Sequence, residues 1–401
     1  MATKKKSKIA LVHVPKTGGT TCTKIITRSF PSENKQLITN PRDCNQQLHD
    51  AVTAAATAQQ PYFLAGHFPA HFFDLSNFDF RITILRPPLE TIASTLSFSE
   101  KNNTGHEIFE FLKTRKSYSI YNDYFNPTAD IQRWEFERNL GVGAPLGAYC
   151  ERIPAAQAVA GLSNFDSVLD FLKIELEIKR LIIELELYPP KEIEDARAYK
   201  YAPPRDEASA LLGRFDREFY ELGSRFFRRL DPSIEKKYES YRYRYSSNRG
   251  WSLSPSQTVA LPLEVLSGTG WYPAEPSSAD NATFVMWSEA TKASISLPLQ
   301  KCGLYRLHLY FFDYRCDYTG GYVSSELSAV RTGFTVTRVG ELTIFSAEIA
   351  VLTGDWLDLS FYAEKKEKAE FLQRNGQPDD HVPEARDPVM FLAKILLRRI
   401  E

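Results

Sequence analysis

The stretch His13-Val14-Pro15-Lys16-Thr17-Gly18-Gly19-Thr20-Thr21 joins a short apolar run to a segment patterned as a helix. Glycines at such a junction let the main chain close around an anion. The amides that open the helix point at that anion, and the helix dipole favours its charge. Lys16 adds an ammonium group, and the hydroxyls of Thr17, Thr20 and Thr21 add donors. The order differs from the G-x-x-x-x-G-K-[ST] phosphate loop, because the lysine precedes the glycines and stands at the loop entry. The plain alternative is an ordinary strand-to-helix turn carrying a surface lysine. A second pattern runs from Ile82 through Arg86-Pro87-Pro88 to Ser94. It puts Arg86 at the carboxyl end of a strand, where α/β proteins bind their ligands. Ser94 follows two turns into the next helix, so the two side chains can share one phosphate if that helix starts beside it. The alternative for Arg86 is a pairing with a carboxylate.

These residues need a scaffold of alternating strands and helices. Ile9 to Val14 reads as a buried strand of the parallel type, and the turn leads into a helix from about Thr20 to Phe30. Tyr62–Ala65 and Arg81–Leu85 are further strands, the latter followed by Pro87-Pro88 and a helix over Leu89–Phe98. Residues 100–150 are aromatic, polar and irregular, as in a lid or a substrate loop. Phe165, Val168, Leu169, Leu172, Leu176, Leu181 and Leu185 predict one long helix from Asn164 to Leu187, ended by Pro189-Pro190. Another helix is predicted from about Ala208 to Leu230. The expected fold class is α/β, a P-loop-like mainly parallel sheet flanked by helices, followed by a C-terminal all-β sandwich.

The division is expected at 1–232 for the α/β domain, 233–250 for a linker and 251–401 for the sandwich. Lys236 to Gly250 contains no aliphatic residue and mixes Tyr with Arg and Lys. It reads as a solvated connector, or as a grip on an anionic glycan or a single-stranded nucleic acid. Beyond it, strands are expected at Val259–Leu266, Ala293–Leu299, Leu304–Phe312, Phe334–Val339, Leu342–Val351, Trp356–Tyr362 and Val389–Arg398. Leu307, Leu309 and Phe311 alternate with Arg306, His308 and Tyr310, which predicts one buried and one exposed face. Trp271, Trp287 and Trp356 are candidates to stack on sugar rings, or else to fill the core. The run Lys365-Lys366-Glu367-Lys368 reads as a solvated surface.

Charge and composition remove several classes. Across 401 residues, 49 Lys and Arg against 50 Asp and Glu give a formal net charge of −1. That excludes a broadly basic nucleic-acid coat, and no nucleic-acid partner is expected. The cysteines at 22, 44, 150, 302 and 316 are odd in number and contain no C-x-x-C pair, which argues against a disulfide framework and a structural zinc. His67 and His71 are four apart, but Pro69 lies between them and no H-E-x-x-H glutamate is present, so no metal is expected. The basic start has no apolar h-region, and no apolar run nears the ~18 residues of a membrane span. A cytoplasmic location without stable membrane insertion follows as the expectation; a homo-oligomer remains open.

The motifs together resemble a family. His13 to Thr21 is similar to the 5′-phosphosulfate loop of the sulfotransferases that use 3′-phosphoadenosine 5′-phosphosulfate (PAPS). The likeness is to the carbohydrate branch that includes heparan sulfate 2-O-sulfotransferase. Leu85-Arg86-x-Pro with Ser94 is similar to that family's 3′-phosphate motif, and Gly66-His67 to its glycine-histidine, whose histidine is the general base in the relatives. Weaker echoes run through Leu162–Leu187 and Asp216-Arg-Glu-Phe-Tyr220, so the resemblance covers about residues 8–230. Pro87 and Thr91 stand where the family often has an aspartate and a second arginine. The resemblance implies sulfuryl transfer from PAPS to a hydroxyl of a glycan or glycolipid acceptor, with adenosine 3′,5′-bisphosphate (PAP) as product. Lys16 and His67 would be catalytic. Lys16, Thr17, Gly18, Gly19, Thr20, Thr21, Arg86 and Ser94 would bind the donor. The reaction is an in-line displacement like phosphoryl transfer, needing a positioned donor and a stabilised leaving phosphate. Two other readings stand beside it. One is a nucleotide-dependent kinase, which the missing Walker pattern disfavours. The other is a non-catalytic glycan-binding protein whose nucleotide fold is only a scaffold.

Overall fold

The computed structural model describes residues 8–30, 34–38, 44–68, 70, 75–101, 120–125, 153–190, 193, 209, 212–263, 266–269, 275–276, 284–288, 292–312, 316–340, 342–365 and 390–401. The readings made above for His71, for 102–119 and 126–152 as a lid, for Trp271 and for Lys366–Lys368 fall outside the described residues, as does the Trp287 side chain. Two compact units emerge. The first holds Met1–Glu186 and Asp195–Ile234; the second holds Leu187–Glu194 and Glu235–Glu401.

The first unit is built on five strands: β1 Lys8–Val12, β2 Lys35–Ile38, β3 Tyr62–Gly66, β4 Phe80–Leu85 and β5 Ser167–Asp170. Their order is β2-β3-β1-β4-β5, and every pairing is parallel. Ile9 to Val12 and Tyr62 to Gly66 are buried throughout, the signature of a sheet covered on both faces. The helices are α1 Gly19–Thr27, α2 Cys44–Thr57, α3 Pro88–Lys101, α4 Ile120–Phe125, α5 Ala155–Ala160, α6 Ile174–Leu185 and α7 Arg214–Gly223. Strand β2 and helix α2 have no counterpart in the sequence reading. The apolar face of α2 is Leu48, Ala51 and Ala55, mostly alanine and therefore a faint periodic signal.

The long helix expected over 164–187 is wrong in its first half. Residues 167–170 form β5, paired to β4 with Ile84 opposite Leu169. Asp170 then caps a 3₁₀ turn, Phe171–Lys173, by accepting from the Leu172 amide at 3.0 Å, and only then does α6 begin. A four-residue apolar strand cannot be told from a helix turn by periodicity, and the pairing partner decided. Likewise α7 is shorter than the helix expected at 208–230, ending in a second 3₁₀ turn at Ser224–Phe226.

The second unit is a two-sheet antiparallel sandwich. Its strands are β6 Thr258–Leu261, β7 Ser267–Thr269, β8 Glu275–Pro276, β9 Phe284–Ser288, β10 Lys292–Pro298, β11 Gly303–Phe312, β12 Cys316–Ser325, β13 Arg331–Gly333, β14 Thr335–Val339, β15 Leu342–Val351, β16 Trp356–Lys365 and β17 Met390–Arg399. One sheet runs β13-β12-β16-β10-β7; the other runs β14-β15-β11-β17-β9-β8 with β6 on β17. Leu307, Leu309 and Phe311 point inward with Leu357, Leu359 and Phe361, and all six are fully buried. Strand β12 was missed because Gly320-Gly321 reads as a turn.

The stretch expected as a linker is a helix, α8 Ile234–Arg249, and apart from its first residue it belongs to the second unit. Its packing face consists of Tyr238, Tyr241, Arg242 and Ser246, all buried. Helical spacing is present, but the face is tyrosine and arginine instead of aliphatic, so a search for aliphatics passes over it. Tyr238 and Tyr241 donate to the carbonyls of Pro190 and Leu187, and Ser246 donates to that of Gly354. Arg242 holds Glu326 with two bonds, at 3.0 and 3.1 Å, and lies over the Trp356 ring. Trp356 is 3% exposed, so it is a core residue and not a stacking platform for sugar.

Candidate functional site

Parallel register sets the site. Val12 lies beside both Gly66 and Thr83, and Leu85 lies beside Asp170. The residues that leave β1, β3, β4 and β5 therefore emerge on one edge of the sheet. His13 and the glycine turn follow β1, His67 follows β3, Arg86 follows β4 and Phe171 follows β5. This carboxyl edge is where parallel α/β sheets bind ligands.

The turn after β1 is held in an unusual backbone shape. Lys16 has φ 64° and Gly18 φ 89°, both left-handed. For lysine that conformation costs about 1 kcal/mol or more, so neighbours must hold it. Thr17, fully buried, donates its hydroxyl to the Val14 carbonyl at 2.7 Å. This departs from the expectation that the Thr17 hydroxyl donates to a ligand: it has one proton, and that proton is committed inside the turn. Gly18 is the N-cap of α1, with no side-chain cap and no acidic residue in the first turn. The two glycines also make room. A Cβ on Gly18 would meet the Phe171 ring at 3.0 Å, and one on Gly19 would sit 2.0 Å from the His13 ring. Thr20 and Thr21 lie in the first turn of α1.

The His13 ring thus lies beside Gly19 at the start of α1, and His67 lies against His13, their ring centroids 4.2 Å apart and their planes tilted by 35°. His67 Nδ1 is 2.6 Å from the His13 carbonyl oxygen. A carbonyl only accepts, so Nδ1 carries the proton in the neutral ring and Nε2 carries the lone pair. The main chain supports the pair, because the His13 amide donates to the Gly66 carbonyl at 2.9 Å.

Among the described residues, the Arg86 side chain touches Lys16, Phe171 and Glu90. Its Nη1 donates to the Lys16 carbonyl at 2.9 Å. Its guanidinium lies 4.1 Å from the centroid of Phe171. Its Nε is 3.6 Å from Glu90, one turn into α3. The carboxylate pairing and the contact with the lysine loop thus both occur at the same side chain. Ser94 is half-buried on α3; at 1.5 Å per residue it stands about 9 Å along the axis from Pro88. The described residues against the Arg86 side chain include Lys16, Phe171 and Glu90 but not Ser94.

A second layer fixes the Arg86 backbone. The Tyr121 hydroxyl accepts from the Arg86 amide at 3.0 Å and donates to the Arg86 carbonyl. Tyr121 is fully buried, and that burial pushes its phenol well above the ordinary range, so it keeps its proton. It stacks on Phe219 at 4.9 Å, and its amide donates to buried Asp216 at 3.3 Å. Within the Asp216–Tyr220 echo, Asp216 thus reaches the Arg86 backbone through Tyr121 of α4. Tyr220 faces Asp170 and Glu90. Partial burial and those two negative charges push its phenol up to about 12. Sequence reasoning missed Phe171, Glu90 and Tyr121. Only Glu90 had a local signal, its i,i+4 spacing from Arg86.

No family model matches this chain, and no curated protein does. Solved structures do. A family 35 carbohydrate-binding module from Clostridium thermocellum matches with 9% identity and a TM-score of 0.25, covering 35% of this chain and 97% of its own. The C-terminal CBM6 of LamC, a marine laminarinase from Zobellia galactanivorans, matches with 14% identity and a TM-score of 0.23, covering 36% of this chain and 100% of its own. A carbohydrate-binding module from Cellvibrio mixtus lichenase 5A, in complex with cellotriose, matches with 8% identity and a TM-score of 0.22, covering 37% and 100%. Among the described residues, no helix is long and apolar enough to cross a membrane.

Proposed function

We propose that the first unit is a PAPS-dependent O-sulfotransferase that moves the sulfuryl group to a hydroxyl of a carbohydrate acceptor by in-line displacement. The observation that carries this reading is the 2.6 Å bond from His67 to the carbonyl of His13, three residues ahead of Lys16. In the neutral ring that bond puts the proton on Nδ1 and the lone pair on Nε2, in a residue that leaves β3 on the same edge as the anion-binding turn.

The residues present suit a doubly phosphorylated nucleotide. Helix α1 opens without a side-chain cap and without an acidic residue in its first turn, so its leading amides are suited to an anion. Glycines 18 and 19 let the Phe171 and His13 rings pack against the turn. Gly18, Gly19, Thr20 and Thr21 would hold the 5′-phosphosulfate, and Thr17 would shape the turn. Arg86, with Ser94 further along α3, would take the 3′-phosphate. In the reaction, Nε2 of His67 accepts the proton of the acceptor hydroxyl as its oxygen bonds to sulfur. The sulfur–oxygen bond to the 5′-phosphate breaks, and the electron pair leaves with PAP. The Lys16 ammonium meets the charge that builds on that leaving oxygen, the interaction that most favours the transition state over the ground state.

Titration calorimetry of the full chain with PAP and with ATP tests the donor class. The expected outcome is PAP binding at least roughly tenfold more tightly, about 1.4 kcal/mol. Tighter binding of ATP would overturn the reading. Radiolabelled sulfate transfer from PAPS to a glycan, lowered by roughly 10²–10⁴-fold in His67→Asn, separates an enzyme from a nucleotide-binding scaffold.

A further inference from the structure

The outward face of the sheet β13-β12-β16-β10-β7 is built unlike an ordinary solvated sheet surface. Antiparallel register places Gly333, Tyr322, Ser360 and Ser294 side by side in one row across β13, β12, β16 and β10. The next row places Gly320, Tyr362 and Lys292 together. Residues paired in this way point to the same side of the sheet. Val323, Leu359, Phe361 and Ile295 between them face the core, which puts the two rows outside.

Both tyrosines have a glycine as cross-strand neighbour, and a Cβ on Gly333 or Gly320 would meet nothing within 4 Å. Among the described residues, the glycine side of each ring carries no side chain. Cations close the two ends. The Arg331 guanidinium lies 3.5 Å from the Tyr322 ring centroid, and the Lys292 ammonium 5.8 Å from that of Tyr362. The Tyr322 and Tyr362 rings are 6.3 Å apart. Donors and positive charge therefore converge on the Tyr322 oxygen. The Ser360 hydroxyl foremost, then Tyr362, Arg331 and Lys292, draw its phenol below the ordinary value, against partial burial. Nearby on this face, Asp358 is engaged by the Ser296 hydroxyl at 2.6 Å, and Glu364 is exposed two residues beyond Tyr362. Trp356, on the same face of β16, is covered by α8 through Arg242, so the ligand-accessible part is the end with the tyrosines.

We propose that this tyrosine-and-serine floor, bracketed by Arg331 and Lys292, is a second ligand site for an acidic polysaccharide. Aromatic rings and hydroxyls suit the faces and edges of sugar rings, and two cations with converging donors suit a sulfate or carboxylate substituent. A nucleic acid fits less well. Asp358 and Glu364 share the face, and two cations do not follow a phosphate repeat. The site stands independently of the sulfuryl-transfer reading, because it uses no residue of the first unit.

Calorimetry of the full chain with dextran sulfate and with polygalacturonate, against neutral dextran and oligothymidylate, tests it. Binding of a charged polysaccharide without binding of dextran is expected. Arg331→Ala combined with Lys292→Ala should weaken that binding at least roughly tenfold, and Tyr322→Phe should weaken it with the ring retained. Arg306→Ala, an exposed arginine paired with Glu348 on the other sheet, should leave it unchanged. PAP affinity should be the same in all these variants, whatever its value. Absence of polysaccharide binding overturns the site. So does equal loss in Arg306→Ala, or oligothymidylate binding that depends on the same residues.

Discussion

Arg86 donates to the carbonyl of Lys16 at 2.9 Å, and Lys16 is the residue whose backbone is turned left-handed, with φ 64°. The guanidinium at the end of β4 thus braces the turn at the end of β1. Arg86→Lys should not rescue Arg86→Ala. An ammonium group cannot lie flat on Phe171 and bond to the Lys16 carbonyl in the same geometry. Both variants should raise the KM for PAPS at least roughly tenfold while moving the acceptor KM little. Equal changes in the two constants would place Arg86 outside the donor site.

The left-handed backbone of Lys16 separates its two roles. Lys16→Gly removes the steric cost and the ammonium together, whereas Lys16→Ala removes only the ammonium. Denaturant unfolding should find Lys16→Gly no less stable than Lys16→Ala, by a margin of up to about 1 kcal/mol. Turnover should collapse in both.

His67→Asn tests the assigned tautomer. An asparagine amide can still donate to the His13 carbonyl, but it offers no basic nitrogen on the far side. Thermal stability should stay near that of the parent protein, while kcat falls by roughly 10²–10⁴-fold. A variant that retains most of its kcat would remove His67 as the base.

Gly19→Ala inserts a methyl group where the His13 ring lies. The ring must move, and His67 lies against it, tilted by 35°. A loss of about 1–3 kcal/mol is expected from overpacking, with a fall in kcat larger than the change in KM. Full activity together with full stability would contradict the packed order Gly19, His13, His67.

Cys22 is fully buried on α1, and burial pushes its thiol up to about 12 from an ordinary value near 9.0. In the native protein at pH 8 it should resist iodoacetamide, while exposed Cys302 is labelled. The sign for stability follows from the raised value. The contribution is fully present below pH 9 and is lost as pH rises toward 12, because the unfolded chain releases that proton first. Peptide mass mapping after alkylation, with and without denaturant, checks the labelling. Equal labelling of Cys22 and Cys302 in the native state would contradict the packing of α1 against the sheet.

Local patterning made much of the architecture legible. The strand expected at Ile9–Val14 (it ends at Val12), Pro15-Lys16-Thr17-Gly18-Gly19-Thr20 as a turn into a helix, and the alternation of Leu307, Leu309 and Phe311 were legible, because each depends on neighbours one to four residues away. Residues 167–170 were not. Their helical spacing was outweighed by pairing with β4 from more than eighty positions earlier. Helix α8 hid for a different reason: its buried face is tyrosine and arginine, which bury only when their polar tips find partners, here the carbonyls of Pro190 and Leu187 and the carboxylate of Glu326.

The amino-acid sequence alone determined that a glycine turn with a lysine would stand before a helix, that an arginine would end a strand, and that a histidine would follow a glycine. Folding decided that these meet. Parallel register aligned the ends of β1, β3, β4 and β5, so that residues 13, 67, 86 and 171 share one edge. Folding also reassigned Thr17 from ligand donor to turn lock and gave Arg86 a ring, a carbonyl and a carboxylate. The physical reason is range: propensity and spacing act within a turn or two of chain, whereas a hydrogen bond from Arg86 to Lys16 spans 70 residues and exists only once the sheet has brought them together.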